Sequence, residues 1–170
     1  MIRRQEAAIQ KGLKNISFVT YDGIHFPFEE GSFNYVVTRY ALHHFPKIEE
    51  TFKEIGRILK PKGQLFIADP TPCKEDNERF VDQYMQMKKD GHIKYYTKGE
   101  FIELAAQVNM ELKAAFETPI CFPRINESGY KELIKRHSKE IIEKYKVYVT
   151  EDNQYIYITQ NVLNLTFEKR

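Results

Sequence analysis

Polar side chains that could do chemistry cluster directly behind one short apolar run, residues 33–38. After it, polar Arg39, His43 and His44 are interleaved with Tyr40, Leu42 and Phe45. An imidazole can take up a proton near neutral pH, so the two histidines are candidate general bases. The alternative is that they hydrogen-bond locally within the loop. A segment that both packs and presents polar groups is typical of the rim of a ligand pocket.

Other residue types that often carry chemistry are scattered in this sequence. Cys73 and Cys121 lie far apart in unrelated contexts, which fits neither a disulfide framework nor a paired-ligand zinc site. None of the five histidines forms the i, i+4 pair with an intervening glutamate that a zinc protease needs. The sequence therefore predicts two reduced thiols and no metal site.

The polar segment needs a strand and a helix to hold it in place. Residues 33–38 read as a buried parallel strand, and Pro46 can begin a helix. The apolar residues of that helix recur on one face, at Ile48, Phe52, Ile55 and Leu59. Residues 60–63 then end the helix, and residues 64–69 read as a second strand. A right-handed βαβ unit would bring the carboxyl ends of both strands to one edge of a sheet, where ligands of such sheets bind.

The remaining segments extend this unit on both sides. Before it, the sequence predicts a helix over 3–13, a strand over 15–21 that ends in an Asp22-Gly23 turn, and a connection over 24–32. After it, we expect a helix over 74–90 and a second helix that begins at the capping-box spacing of Thr97 and Glu100. A strand over 111–118 and a helix over 128–144 follow. Antiparallel strands over 145–167, around a turn at 151–154, complete the chain. No repeat or linker divides the chain, so we predict one α/β domain over residues 1–170.

Composition limits the class of protein further. The 170 residues are 42% hydrophobic and 14% aromatic, ordinary values for a globular protein with a substantial core. The formal net charge is only +2, and no basic block is dense enough to indicate nucleic acid. Neither a signal peptide nor a membrane-spanning stretch is evident, which predicts a cytoplasmic protein.

Four segments of the first part of the chain form a family pattern by their order and spacing. They are Asn15 to Gly23, Phe26 to Phe33, Arg39 to Phe45, and Arg57 to Asp69. In this combination the chain resembles the class I S-adenosylmethionine-dependent methyltransferases, in particular the branch that acts in ubiquinone and menaquinone biosynthesis. The resemblance implies a Rossmann-like α/β sheet, with residues 1–70 on the cofactor side and residues 71–170 forming the substrate side and the C-terminal strands.

The resemblance also implies roles for particular residues. Asp22 corresponds to the acid that accepts a hydrogen bond from the exocyclic amine of adenine, and the Gly23 N–H corresponds to the donor to the neighbouring ring nitrogen. Arg39 and Tyr40 correspond to positions that border the methionine portion of the cofactor. Three histidines are candidate catalytic residues beside a small-molecule acceptor, namely His43, His44 and His92. They matter for a carbon acceptor, which must lose a proton, whereas displacement at the methyl group mainly needs alignment.

Simpler interpretations of these residues stay open at this point. Asp22 and Gly23 can form a plain turn, and Arg39 can be a surface arginine that closes a strand. His92, beside Gly91, can be a solvated histidine, and Asp69 can cap the turn that follows it.

One part of the family pattern is missing from this sequence. The family sheet begins with a strand, a glycine-rich GxGxG turn and a helix, followed by a strand that ends in a ribose-binding acid, whereas none of the eight glycines here forms such a turn. We therefore expect an N-terminally incomplete sheet with half a cofactor site. The strand at 15–21 would then pair directly with that at 33–38, or another chain would fill the gap between them, or the exposed edge would support a homodimer. The functional alternative is a non-catalytic methyltransferase-like domain that acts as a binding or dimerisation module.

Overall fold

The computed structural model describes residues 2–170. The helices in this range are α1 (Ile2–Gln10), α2 (Ile48–Ile58), α3 (Phe80–Gln86), α4 (Lys98–Ala106), α5 (Ser128–Arg136) and α6 (Lys139–Lys144), with a short 3-10 helix at Leu42–His44. The strands are β1 (Phe33–Arg39), β2 (Leu59–Thr71), β3 (Met110–Ile125), β4 (Tyr148–Val149) and β5 (Tyr155–Lys169).

All five strands belong to one mixed sheet. The order along it is β1-β2-β5-β3, and β4 pairs with one end of β5. β1 and β2 are parallel and flank α2, which confirms the predicted βαβ unit. The prediction that residues 33–38 are a buried strand is wrong, because β1 lies at the edge of the sheet and each of its residues is exposed or half-buried. β5 is antiparallel to β2, β3 and β4, as expected for the C-terminal part of the chain.

Two hydrophobic cores share this sheet. The first packs α2 and α4 against one face, and its members include Phe52, Ile67, Phe101, Leu165 and Phe167. The second packs α3, α5 and α6 against the part of β5 that holds Ile156 and Ile158. The candidate site lies where the carboxyl end of β1 comes between these two cores.

The capping box at the start of α4 is confirmed. The Thr97 hydroxyl accepts a hydrogen bond from the Glu100 N–H, and the Glu100 carboxylate accepts one from the Thr97 N–H at 2.7 Å. The backbone N–H groups of Thr97 and Glu100, which have no partner within the helix, therefore each bond to the other residue's side chain.

Two predicted helices are shorter or divided in the structure. The helix predicted over 74–90 covers only α3, because Arg79 adopts φ 58° and the Asp76 carboxylate accepts from the N–H groups of Phe80 and Val81. The helix predicted over 128–144 is two helices, α5 and α6, because the Ser138 hydroxyl caps a new helix at the Ile141 N–H.

The strand predicted over 15–21 does not form. These residues have no strand pairing in the described chain, and β1 pairs only with β2. Alternation alone cannot make a strand without a neighbouring backbone to pair with.

β2 and β3 extend beyond their predicted limits. β2 includes residues 60–63 as a bulge, since Phe33 pairs with Leu59 and Tyr35 next pairs with Gln64. A Cβ at Gly63 would lie 2.8 Å from the Lys60 carbonyl oxygen, so only glycine fits this bulge.

Candidate functional site

The backbone turns sharply where β1 ends. Tyr40 adopts φ 50°, an uncommon conformation for a residue with a side chain, and its N–H donates to the Ala68 carbonyl at 2.9 Å. The Arg39 guanidinium lies over the Tyr40 ring, 4.4 Å from its centroid. Strained backbone next to a sheet edge is a recurrent feature of functional sites.

Asp69, near the end of β2, holds the segment that follows this turn. One carboxylate oxygen accepts from the Ala41 and Leu42 N–H groups at 3.1 and 3.0 Å, and the other contacts Nδ1 of His43. Asp69 is 1% exposed, so these bonds replace water around a buried acid. Asp69 therefore caps the start of the 3-10 helix, which lies next to it in space, and not the turn that follows Asp69 in the sequence.

His43 is the buried side chain that this arrangement orients. An Nδ1–H donated to Asp69 leaves Nε2 as the basic nitrogen of the neutral ring, a tautomer assigned from the hydrogen-bond network. A carboxylate behind an imidazole fixes the ring in one orientation, which is the geometry that a general base requires.

Asp82 on α3 organises a second histidine. Its Oδ1 contacts Nε2 of His92 at 2.8 Å and accepts from the Tyr95 N–H at 2.7 Å, while its Oδ2 accepts from Nε of Arg79. Burial raises the pKa of Asp82, but the hydrogen bonds from His92 and Tyr95 and the charge of Arg79 outweigh burial and hold it below the ordinary value. His92 has a fully buried side chain, so the interpretation as a solvated histidine is wrong.

The three candidate histidines meet in space. The His43 ring centroid lies 4.1 Å from that of His44 and 5.4 Å from that of His92, and the Ile93 N–H donates to the His43 carbonyl at 2.9 Å. Tyr95 packs against both His43 and His92, at 5.0 and 4.5 Å between centroids. Burial raises the pKa of Tyr95, with the nearby Asp69 charge adding to the effect, so its hydroxyl stays protonated. We call His43, His44, His92 and Tyr95 the histidine cluster.

Asp22 and Gly23 lie in a separate, exposed turn. The Asp22 carboxylate accepts from the Ile24 and His25 N–H groups at 2.8 and 2.7 Å, and its second oxygen lies 2.8 Å from Nδ1 of His25. The hydrogen bond from His25 and the two backbone donors lower the pKa of Asp22 to about 2. Gly23 adopts φ 90°, which favours glycine, and within the described residues its N–H donates to no acceptor.

An apolar cleft of about 400 Å³ lies along β1. One wall is the segment that holds Tyr21, Phe26 and Phe28, and the other is β1 with the start of the 3-10 helix. Its lining includes Tyr21, Thr38 and Leu42, the chain neighbours of Asp22, Arg39 and His43. Asp22 itself and the histidine cluster do not line it.

Two charged residues of α2 hold the outer wall of this cleft. The Arg57 guanidinium donates to the carbonyls of Phe26 and Phe28 at 2.9 and 2.7 Å, and the Glu54 carboxylate accepts from the Phe26 N–H at 2.8 Å. Glu54 and Arg57 also pair with each other at 2.7 Å. The hydrogen bond from Arg57 holds the pKa of Glu54 below its usual range.

Sequence reasoning missed several residues that organise the site, namely Glu54, Arg57, Arg79, Asp82 and Tyr95. Asp82 falls in the first turn of α3, where an acid usually faces the helix dipole in solvent, so the sequence carries no sign of its burial. Arg57 lies in one of the segments that carried the resemblance, which is the one signal that could have singled it out.

No group of three or more potential metal ligands occurs in residues 2–170 as the structure describes them. Within the same residues, none of the helices is both long and apolar enough to cross a bilayer.

Comparison with known proteins identifies the class to which this fold and site belong. A model of the methyltransferase domain family matches residues 2–115. A methyltransferase candidate from Bacillus halodurans C-125 has a structure that aligns with 97% of this chain and 76% of its own length, at a TM-score of 0.82 and 23% identity. The chain belongs to the methyltransferase domain family, and its mixed sheet is that of the class I S-adenosylmethionine-dependent methyltransferases.

Two curated proteins are similar to part of this chain. The Bacillus subtilis protein YcgJ, described as an uncharacterized methyltransferase, is 27% identical over 95 residues, which cover 55% of this chain and 38% of YcgJ. The demethylmenaquinone methyltransferase of Bacillus cereus AH187 is 27% identical over 137 residues, which cover 79% of this chain and 52% of that enzyme. The chain thus spans about half the length, or less, of these relatives.

Proposed function

We propose that this chain takes part in S-adenosylmethionine-dependent methyl transfer to a small-molecule acceptor. The observation that carries the proposal is the apolar cleft whose lining includes Tyr21, the chain neighbour of Asp22, and Leu42, the chain neighbour of His43. Family membership supports the cofactor, and the cleft supports the place where its adenine would lie. A cytoplasmic location stays a prediction.

The Asp22-Gly23 turn and the aromatic residues of the cleft beside it fit the adenine portion of the cofactor. Asp22 is ionised at neutral pH and keeps a side chain 56% exposed, while the Gly23 N–H is free to donate within the described chain. Tyr21 and Phe26 provide aromatic surface beside this pair. We propose that Asp22 and Gly23 hold adenine, and that Arg39 and Tyr40 border the methionine portion.

The cofactor, when bound, supplies a methyl group on a sulfonium sulfur. A nucleophile displaces that methyl group if it is held in line, so the task of the protein is to bind and orient both molecules. For a carbon acceptor, His43 can accept the proton at Nε2 because Asp69 fixes its tautomer. His44 packs against the His43 ring, and His92 lies on the other side of the cluster with Asp82 orienting it.

A titration with S-adenosylhomocysteine tests the proposal. The 170-residue chain is compared by calorimetry with a fusion that carries the glycine-rich strand-helix-strand unit of YcgJ ahead of residue 2. We expect micromolar binding by the fusion and binding at least about tenfold weaker by the chain alone, since backbone donors of the glycine-rich turn are lost. The Asp152→Ala variant of the fusion, altered in a distant exposed turn, should bind as the parent does.

The outcomes separate the functional classes. Binding by the fusion, together with transfer of a labelled methyl group to a small molecule in a cell extract, supports the enzyme. A folded fusion that binds no S-adenosylhomocysteine would contradict the proposal and favour a non-catalytic binding or dimerisation module.

A further inference from the structure

Arg124 on β3 is a cation held among aromatic and thioether groups. Its guanidinium lies 5.5 Å from the Phe122 ring centroid, its Nη2 lies 3.6 Å from Sδ of Met85, and its Nη1 donates to the Pro123 carbonyl at 3.0 Å. Burial raises the pKa values of Tyr84, Tyr95 and Tyr130, and the positive charge of Arg124 partly offsets the rise in all three. The guanidinium therefore faces the aromatic side of the second core.

This cation has no acidic partner in the structure. Among the described residues, no Asp or Glu oxygen lies within 4.0 Å of its nitrogens. Arg57, Arg79 and Arg170, in contrast, each pair with a carboxylate. Its Nε is buried without a hydrogen-bond partner, and so is the Tyr84 hydroxyl on the adjoining helix. A buried donor left unpaired is costly, and it is usually explained by a ligand or a functional role.

The position of Arg124 connects it to the candidate site. Phe122 and Arg124 point to the same side of β3, since alternate residues of a strand share a face. Phe122 contacts Tyr40 edge to face at 6.4 Å between centroids, and Tyr40 directly follows β1. The chain of contacts from Arg39 through Tyr40 and Phe122 to Arg124 thus leads from the proposed methionine end to the half-buried face of β3.

We infer that Arg124 binds a carboxylate of the methyl acceptor, and that the acceptor is an aromatic or otherwise apolar acid. Nε and Nη2 form one edge of the guanidinium, the fork that pairs with a carboxylate through two parallel hydrogen bonds. Met85, whose thioether is a weak acceptor on a flexible chain, occupies that edge in the absence of an acid. The rings of Phe122, Tyr84 and Tyr130 supply the apolar surroundings. The assignment of this acid as an acceptor rests on the proposed methyl transfer.

Binding of benzoate tests the inference without the cofactor. Benzoate, the neutral isostere benzamide and phenyl phosphate are titrated into the 170-residue chain, and the Arg Nε–Hε signals are followed by ¹H–¹⁵N NMR. We expect benzoate to shift the Arg124 signal and to bind at least about tenfold more tightly than benzamide, as a charge-assisted fork requires. Arg124→Leu should abolish this preference, and Arg136→Leu, at an exposed arginine of α5, should keep it.

Each result bears on the inference in one direction. The inference is overturned by equal binding of benzoate and benzamide, by no binding of benzoate, or by an unchanged preference in Arg124→Leu. Tighter binding of phenyl phosphate than of benzoate overturns the carboxylate and indicates that Arg124 binds a phosphate. Arg124→Leu should unfold at the same urea concentration as the parent or higher, because it removes an unpaired buried donor. Arg124→Lys, which keeps the charge without the fork, provides a second folded variant. S-adenosylhomocysteine binding by the fusion is independent of these outcomes, so failure here leaves the proposed function standing.

Discussion

Asp82 of α3 contacts three groups, Arg79 at the start of the same helix and His92 and Tyr95 in the following loop, through a single carboxylate. Asparagine at this position removes the charge that pairs with Arg79 and replaces one of the two acceptor oxygens by an NH2 donor, so the buried contacts to His92, the Tyr95 N–H and Arg79 can no longer all be made. We expect Asp82→Asn to lower the free energy of unfolding by about 3 kcal/mol, the usual cost of breaking a buried charged network. Urea denaturation measures it, and Glu50→Gln, in an exposed pair with Lys47, should cost less than about 1 kcal/mol. Equal effects of the two substitutions would contradict the role given to Asp82.

The Asp82 carboxylate also predicts that the stability of the folded protein depends on pH. The pKa of Asp82 lies below its ordinary value in the folded protein, so its ionised form stabilises the fold. This contribution is fully present above the unfolded pKa of about 3.9 and is lost as the pH falls through the folded pKa. Unfolding curves of the parent and of Asp82→Asn should therefore converge as the pH is lowered below about 4. A constant difference between the two would show that ionised Asp82 is not the source of the stability.

The Asp22 turn makes a prediction about its partner His25. The hydrogen bond and the charge of Asp22 raise the pKa of His25 above the ordinary value for histidine. The His25 ring signal, followed by NMR, should therefore titrate above about pH 6.5 in the parent and shift to lower pH in Asp22→Asn. Asp152→Asn, in another exposed Asx turn, should leave the His25 titration unchanged. An unshifted His25 in Asp22→Asn would mean that the pair does not form in solution.

Among the elements, the capping box of α4 offers the cleanest test of a local sequence signal. Thr97→Ala removes the acceptor for the Glu100 N–H and should destabilise the protein by about 1 kcal/mol. Thr97→Ser keeps the hydroxyl and should cost much less, and thermal or urea unfolding distinguishes the two. A capping role would be contradicted if serine and alanine were equally destabilising.

Whether a helix or strand can be predicted from sequence depends on whether the residues that stabilise it lie within the element or far away in the chain. β1, α2 and the start of α4 could be predicted, because an apolar run, a single apolar stripe and a capping box are encoded within each element. The break of the predicted helix at residues 74–79 could not, since it depends on Asp76, whose carboxylate also accepts from the Tyr145 hydroxyl 69 positions away. The strand predicted over 15–21 failed for the related reason that a strand needs a neighbour, which this chain does not place beside it.

For the whole molecule, the unpaired edge of β1 is the feature with the widest consequence. Tyr35 and Val37 are each 68% exposed there, and an exposed apolar edge strand can pair with another copy of the chain. The proposed homodimer predicts concentration-dependent association in sedimentation velocity experiments, and Val37→Lys should yield monomers. Ile125→Lys, at an equally exposed site on the opposite edge strand, should leave association unchanged. Association lost only in Ile125→Lys would place the contact at β3, and a parent that stays monomeric would contradict the dimer.

The site as a whole could be predicted only in part. The motif order of the first 70 residues led to the family and to the three histidines, which the fold then brings together. The carboxylates that orient them could not be paired with them from sequence, because Asp69 contacts His43 across 26 positions and Asp82 of α3 contacts His92 in the loop that follows that helix. The assignment of Asp22, Gly23, Arg39 and Tyr40 to the cofactor stays a prediction.

Recognition of adenine by Asp22 is the central claim of the account, and one comparison tests it directly. S-adenosylhomocysteine carries the exocyclic amine that Asp22 would accept from, whereas S-inosylhomocysteine carries an oxygen at that position. The YcgJ fusion should bind the adenine compound at least about tenfold more tightly, and Asp22→Ala should remove that preference, since a hydrogen bond to a charged acceptor contributes about 1.5–3 kcal/mol. Any disturbance of the turn affects both compounds alike and cancels in the ratio. An Asp22→Ala fusion that still prefers S-adenosylhomocysteine to the same degree would contradict the account.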